Sequence, residues 1–428
     1  MIETSYWLQT LDANARAMLA VPGSALPSTV DVLIVGGGYT GLAAARRLAM
    51  GGASTLVVDR GDLGSGASSR SGGQVLTGLK VDPATLVARH GERRAAELFD
   101  VGRRAIEDLE SVIAAESIDC DYDRSGHLAA AVKPSHFEAL RAEQALLARV
   151  FSHHVELLSR TEQRAELGSD AYHGVSIDQG SRAINPARFV AGLAAAARRR
   201  GACLASHVAV TRIDRVGDRW RVATSNGELS ANEVLIATNG YTGAATPALQ
   251  RRLISIGSYV VATEPLSPAV AAAVLPRRRV AFDTKRFLFY FRLTADNRLL
   301  FGGRAELGQP TADATRRAAG ILRRGLASIF PGLAATPIAF GWSGNVAFTR
   351  DEMPRAGLLD GMYFSAGYCG HGIAMATHLG DAIARRMAGD TTPHPLMSDP
   401  PPAIPLYNGR PWFLPLVGAY YKVLDWLT

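Results

Sequence analysis

Cysteine is scarce in this chain: Cys120, Cys203 and Cys369 are the only three in 428 residues, and no two are spaced as C-x-x-C. An odd count without paired spacing excludes a disulfide framework and a zinc ribbon, and it points to a reducing cytoplasm. Lysine is nearly as rare, with only Lys80, Lys133, Lys285 and Lys422, so the net charge of +7 is carried by arginine. Those arginines are mixed with acids, as at Arg93, Arg94 and Glu97, and form no basic stripe interleaved with aromatics. That distribution argues against a nucleic-acid partner. No stretch supplies the roughly 20 apolar residues that cross a bilayer. Glu3, Asp12 and Arg16 interrupt the N-terminus where a signal peptide needs an apolar run.

What the chain does have is glycine, 43 residues of it, and an ordinary hydrophobic fraction of 47%. Its length exceeds what one hydrophobic core usually organises, so two domains are expected. Residues 1–29 read as an N-terminal arm with Trp7 and Leu8 as docking points. From Val30 to Val35 the chain is apolar and β-branched, Leu42 to Met50 reads as a helix, and Thr55 to Val58 as a second buried strand. Helix and strand alternate again up to Ala237. Between Leu253 and Gly303 strand follows strand, as at Ser258 to Glu264 and Phe287 to Leu293. An apolar strand, a glycine-rich turn and a helix then complete the pattern from Met362 to Met387. The expected fold class is α/β plus α+β: a Rossmann-type domain from residues 30–115, 134–245 and 339–400, interleaved with an antiparallel-sheet domain from 116–133 and 246–338. Residues 401–428 form a hydrophobic tail.

Gly36-Gly37-Gly38-Tyr39-Thr40-Gly41 matches G-x-G-x-x-G between a strand and a helix. Gly36 permits the turn, Gly38 lets the backbone approach a pyrophosphate, and Gly41 allows the helix to lie close on the strand, with its N-terminus facing the phosphates. Asp59 falls at the end of the second strand, where a carboxylate can accept from both ribose hydroxyls. Two later segments favour a flavin over a nicotinamide. The run from Gly64 to Gln74 is too rich in glycine and serine to be core and can wrap a cofactor. Gly367-Tyr368-Cys369-Gly370-His371-Gly372-Ile373 joins a strand to a helix, so its backbone can touch a flat ring while the helix dipole favours negative charge on it.

These segments, with Asp59-Arg60, Ala237 to Tyr241 and Thr349 to Pro354, resemble the family of D-amino-acid oxidase, glycine oxidase and sarcosine oxidase, and within it the bacterial branch of γ-glutamylputrescine oxidase and L-pipecolate oxidase. The resemblance spans nearly the whole chain. It implies an FAD enzyme that oxidises a carbon–nitrogen bond of an amine or amino acid to an imine, by hydride transfer to flavin N5. It places Gly36, Gly38, Tyr39, Thr40, Gly41, Asp59 and Arg60 on the ADP portion, and has Val208 meet the adenine through its backbone. It assigns Gly66, Ala67, Ser68, Arg70, Gly72, Gly73, Gln74, Thr238, Gly240, Gly367, Gly370, His371, Gly372 and Ile373 to the rest of the cofactor. In the sarcosine oxidases a lysine grips the substrate carboxylate two residues after the glycine-histidine-glycine turn. Ala374 stands there in this chain, so sarcosine is not the expected substrate. The cysteine that tethers flavin in those enzymes falls near Gly344 and Asn345, so FAD should be noncovalent.

The expected catalytic residues are His371, polarising the flavin, Tyr259 over the ring, and Arg70. Tyr290, Phe291 and Trp342 are further aromatics on the strands expected above the flavin. Any of Arg70, Arg286, Arg292 and Arg350 could clamp a substrate carboxylate. L-Pipecolate leads as substrate over γ-glutamylputrescine; a flavoprotein subunit without substrate is the non-enzymatic alternative. Dioxygen activation needs a cation beside the flavin. Leu300 stands nearest the lysine position of the sarcosine oxidases, and Lys285 is the one lysine read into the substrate region. The expected acceptor is therefore a membrane quinone, reached from the cytoplasmic side, with the apolar and aromatic segment Pro411 to Leu427 resting in the bilayer interface.

Overall fold

The computed structural model describes residues 1–23, 25–303, 305, 310–409 and 411–414. Apolar, buried runs form the centre of the first of two eight-stranded sheets among the described residues. Its spine runs Arg355–Leu359, Met362–Ala366, Gly227–Ile236, Thr29–Val35, Thr55–Val58 and Cys203–Ala205. Thr29–Val35 lies parallel to both neighbours, with Leu33 opposite Val234 on one side and Leu56 on the other. A parallel strand shielded on both faces loses its alternation, which is why these segments read as continuous apolar runs. The helix Tyr39–Met50 packs beside Gly372–Met387 and Pro186–Arg199 on one face of this sheet. Asn185 caps the last of these by accepting from the Arg188 amide at 3.2 Å.

The second sheet runs Ile338–Phe348, Ile254–Thr263, Leu299–Gly303, Phe289–Leu293, Val280–Asp283, His127–Ala130, Gly174–Asp178 and Glu156–Ser159. All its pairings are antiparallel except Val280–Asp283 with His127–Ala130. One face packs on the helix Ala312–Ile329, burying Phe291, Phe301 and Leu322. The two sheets trade segments at places other than those expected. Strands Glu156–Ser159 and Gly174–Asp178 were expected in the Rossmann-type domain within 134–245, and most of Ile338–Phe348 within 339–400, yet all three lie in the second sheet. Helix followed by strand is the same local signature in either domain. The partner decides, and here Gly174–Asp178 pairs antiparallel with His127–Ala130, a neighbour some 45 residues earlier in the chain.

The N-terminal arm is tied down. Trp7 is buried and its indole N–H donates to the Ser71 carbonyl at 2.9 Å, while the Tyr6 hydroxyl reaches Asp296 Oδ1 at 2.6 Å. Two short helices, Tyr6–Gln9 and Ala13–Leu19, thus seat against both halves of the molecule. Most of the tail, Leu416 to Leu427 included, lies outside the described residues. Of its described part, Tyr407 is buried with its hydroxyl on the Leu253 carbonyl, and Trp412 is exposed. No helix among the described residues is long and apolar enough to cross a membrane.

Candidate active site

Backbone geometry makes the nucleotide end. Gly36 sits at φ +111°, and a Cβ there would stand 2.8 Å from the Ala237 carbonyl oxygen. At Gly41 a Cβ would fall 1.9 Å from the Gly36 carbonyl oxygen, so only glycine lets the helix approach the strand. Gly41 is thus a packing position behind the cavity wall, whereas Gly36, Gly38, Tyr39 and Thr40 line it. Gly38 is the N-cap of Tyr39–Met50 and offers no side-chain cap, which leaves the helix N-terminus turned to the cavity. Asp59 Oδ2 accepts from the Gly37 amide at 2.8 Å and Oδ1 from the Gly61 amide at 3.0 Å. Burial raises its pKa, against the pull of those two amides and Arg60. Hydroxyl donors from a ribose would complete the carboxylate's shell and favour its charged form. Arg60 and Val208 line the same end; the Val208 N–H already donates to the Asp59 carbonyl at 2.8 Å, which limits a contact with a base to its own carbonyl.

The cavity continues, about 1200 Å³ in all, past Gly66, Ala67, Ser68, Arg70, Gly72 and Gln74 to Thr238 and to Gly370, His371, Gly372 and Ile373. Ligand pockets are commonly about 300–1,000 Å³, so this one has room for more than a single drug-sized molecule. Gly73, Gly240 and Gly367, expected on the cofactor, are not on the wall. Gly73 has φ +72°, and a Cβ on it would meet the Ile184 carbonyl at 2.3 Å; one on Gly367, at φ +84°, would meet Thr349 Cγ2 at 2.5 Å. Both glycines serve close packing beneath the loops. At Gly240 it is the neighbours Asn239 and Tyr241 that reach the cavity. His371 Nδ1 is buried and has no hydrogen-bond partner among the described residues. Burial, helped by the charge of Lys80 and by His127, pushes its imidazole down to about 3, so the ring is neutral and retains one N–H to donate. Glycine-lined backbone, a helix N-terminus capped by glycine with only its Tyr39 amide taken among the described residues, by Ser68 Oγ at 3.2 Å, a ribose-competent carboxylate and an orphaned ring nitrogen all fit a bound FAD.

Several expected substrate residues are corrected. Tyr259 is buried at 1% exposure among Phe291, Phe301 and Val261 on the face away from the cavity, while its strand neighbours Ser258 and Val260 line the wall. A strand alternates faces, and the expected register was off by one. Phe291 belongs to the same core, and Trp342 is buried with its indole N–H on the Arg70 carbonyl at 2.8 Å. Tyr290 is the aromatic that does line the cavity, 3.3 Å from Ser258 Oγ through its hydroxyl. Arg70 is on the wall, but its Nε donates to the Ser65 carbonyl at 2.7 Å and Nη1 to that of Ser343 at 3.0 Å. Arg292 is buried behind Gly73, donating to the Gly73 and Ile184 carbonyls at 2.9 and 2.8 Å. Arg286 and Arg350 are not on the wall. Cys369 is, with burial pushing its thiol up to about 12, so it is packed rather than reactive.

Beyond His371 the cavity opens into a chamber that sequence reading missed. Lys80, His127, Glu143, His153 and Asp178 line it, from the loop before Pro83–Ala115, two strands of the second sheet, and the helix Pro134–Phe151 with the turn that follows it. Lys80 corrects the expectation that Lys285 alone lies in the substrate region; Lys285 instead pairs with Asp283 at 3.3 Å. Leu300 is fully buried in the core. His127 packs against Phe282 with the rings tilted at 32° and 4.3 Å between centroids, and burial holds its imidazole down to about 4 despite Asp178 alongside. Asp178 lies 3.2 Å from His153 Nε2 and takes the Thr77 hydroxyl, and these contacts outweigh burial and hold its carboxyl at about 2.

Comparison with known proteins agrees with this geometry. The family model described as FAD dependent oxidoreductase matches residues 31–386. The chain is 34% identical over 403 residues to gamma-glutamylputrescine oxidoreductase of Escherichia coli K12, covering 93% of each. It is 33% identical over 388 residues to a probable oxidoreductase, OrdL, of Rhizobium meliloti, covering 90% of this chain and 89% of the other. Among solved structures, glycine oxidase from Geobacillus kaustophilus superposes with a TM-score of 0.72 at 22% identity, over 86% of this chain and 96% of that one. The slot that the sequence assigns to a dinucleotide, the ring-sized turn beside it and the match over residues 31–386 agree, and the chain belongs to the D-amino-acid-oxidase-type family of FAD dependent oxidoreductases.

Proposed function

We propose that this enzyme oxidises the primary amine of a γ-glutamylputrescine-type substrate, an acylated diamine, to an imine. The carrying observation is the single cavity that runs from the backbone-lined nucleotide slot, past His371, into the chamber walled by Lys80, His127 and Glu143. FAD, when bound, supplies the two-electron acceptor for hydride from the carbon that bears nitrogen. The protein's part is positioning and electrostatics. The N-terminus of Tyr39–Met50 and the Asp59 carboxylate hold the nucleotide, and that of Gly372–Met387 favours negative charge at the ring. The neutral His371 donates to the ring's polar edge. The similarity to the Escherichia coli gamma-glutamylputrescine oxidoreductase supports the substrate type. It displaces L-pipecolate as the favoured substrate: pipecolate carries its carboxylate beside the oxidised C–N bond, next to the flavin, whereas of the arginines expected to clamp it there Arg70 and Arg292 donate to backbone carbonyls and Arg286 and Arg350 are off the wall.

Lys80 also changes the reading of the acceptor. A cation on the cavity wall, close enough to act on His371, supplies the charge that superoxide formation needs. We propose dioxygen as acceptor in place of the membrane quinone. Turnover of γ-glutamylputrescine should yield the aldehyde left by imine hydrolysis, with one hydrogen peroxide per aldehyde. L-pipecolate or sarcosine turned over faster than γ-glutamylputrescine would contradict the substrate proposal, and aldehyde without peroxide in air would contradict the acceptor.

A further inference from the structure

We infer that Glu143 recognises a second cationic nitrogen of the substrate and so sets the substrate class: a molecule with an oxidisable amine at one end and an ammonium group at the other. The inference rests on the amine-oxidation reading above and extends it to the far end of the substrate.

Glu143 stands on the helix Pro134–Phe151, which packs over the strands Glu156–Ser159 and Gly174–Asp178, and it shares the cavity wall with Leu140 and Leu147 from the same helix. Leu140, Glu143 and Leu147 recur at three and four residues, so one helical stripe faces the cavity and the carboxylate lies among apolar neighbours. Other acids of the chamber have partners. Asp178 has His153 and Thr77, and Asp82 caps the helix Pro83–Ala115 by accepting from the Thr85 amide at 2.9 Å. Among the described residues no hydrogen bond or ion pair engages the Glu143 carboxylate. Burial and the neighbouring charge of Asp82 raise its pKa, the mark of a carboxylate short of a cation.

Different charges act on His371 and on Glu143. His371, at the flavin turn, feels Lys80 and His127, whereas Glu143 feels Asp82, two residues beyond Lys80. Glu143 and Asp82 therefore form a negative pole on the cavity wall. An ammonium reaching this pole would pair with Glu143 in a site partly shielded from water, where such a pair discriminates strongly against a neutral analogue. A short amino acid has no group to place there.

The test compares two compounds on the holoenzyme, γ-glutamylputrescine and N-glutarylputrescine, which differ only in the α-ammonium group. The native enzyme should prefer the ammonium-bearing compound by about 30-fold in kcat/KM, mostly through KM. Glu143→Gln should erase that preference with kcat within about twofold and an unchanged flavin spectrum, and Glu143→Asp should retain part of it. A native enzyme indifferent to the ammonium, or a Glu143→Gln variant that keeps the preference, would overturn the inference while leaving amine oxidation intact. Flavin reduced by neither compound would overturn both readings.

Discussion

The nucleotide slot and the substrate chamber are walls of one cavity made in two different ways. The slot is built from backbone: glycines at 36, 38 and 41, a helix N-terminus, and a carboxylate held by the amides of Gly37 and Gly61, all within residues 36–61. The chamber is built from side chains that meet only after folding, with Lys80 from a loop, His127 and Asp178 from paired strands, and Glu143 from a helix. Backbone sites leave a local pattern in the sequence; convergent side chains leave none. The slot is accordingly intolerant of change, and the chamber is where specificity can vary.

The largest expected effect breaks the slot. Gly41→Val puts a branched side chain where even a methyl group would overlap the Gly36 carbonyl, so the variant should lose at least about 3 kcal/mol of stability and purify without flavin. Thermal melting and the absorption spectrum check this together. Asp59→Ala is gentler. It removes the ribose acceptor and frees the Gly37 and Gly61 amides, and should weaken FAD binding by about 5- to 150-fold, or 1–3 kcal/mol. A variant that retained full occupancy on dilution would refute the ribose assignment.

On the chamber side, Lys80→Met should leave the flavin loaded and slow reoxidation of reduced enzyme by air by about tenfold or more, with a smaller effect on reoxidation by a soluble quinone. Equal slowing by both would show that Lys80 acts on substrate or on the fold. The His371 imidazole takes a proton near pH 6.5 in the unfolded chain and only near 3 in the folded one. Its contribution is thus fully present above about pH 6.5 and is lost as pH falls toward 3, so in the apoprotein His371→Gln should flatten the stability-against-pH slope across that window. The smallest effect is expected at Tyr259→Phe. With its ring in the core behind Ser258 and Val260, kcat/KM should stay within about twofold; a tenfold loss would restore Tyr259 to the cavity.

Legibility divided along the same line. The run Val30 to Asp59 and the turn Gly370 to Ile373 fell where their spacing placed them, because a tight turn against a helix N-terminus leaves few alternatives in backbone space. Gly41 packs the helix on the strand as its motif role implied, whereas Gly73 and Gly367 were marked as cofactor contacts but are packing positions, since a glycine needed for close approach looks the same whether a ligand or a carbonyl lies opposite. Tyr259 failed by one residue of strand register, a distinction that an apolar strand buried on both faces does not encode. Arg292 failed because a buried guanidinium satisfied by carbonyls of Gly73 and Ile184 has the same letter as one awaiting a carboxylate. Glu156–Ser159 and Gly174–Asp178 joined the other sheet because strand partners are a property of topology, not of local composition.

Anaerobic mixing of the purified yellow enzyme with γ-glutamylputrescine tests the central claim most directly, since it joins slot and chamber in one event. The flavin absorbance should bleach in a single phase to the fully reduced form, saturably in substrate, with the flavin released into the supernatant on subsequent acid precipitation because no reactive thiol lines the cavity. Flavin that stays oxidised with γ-glutamylputrescine and bleaches with L-pipecolate would contradict the account.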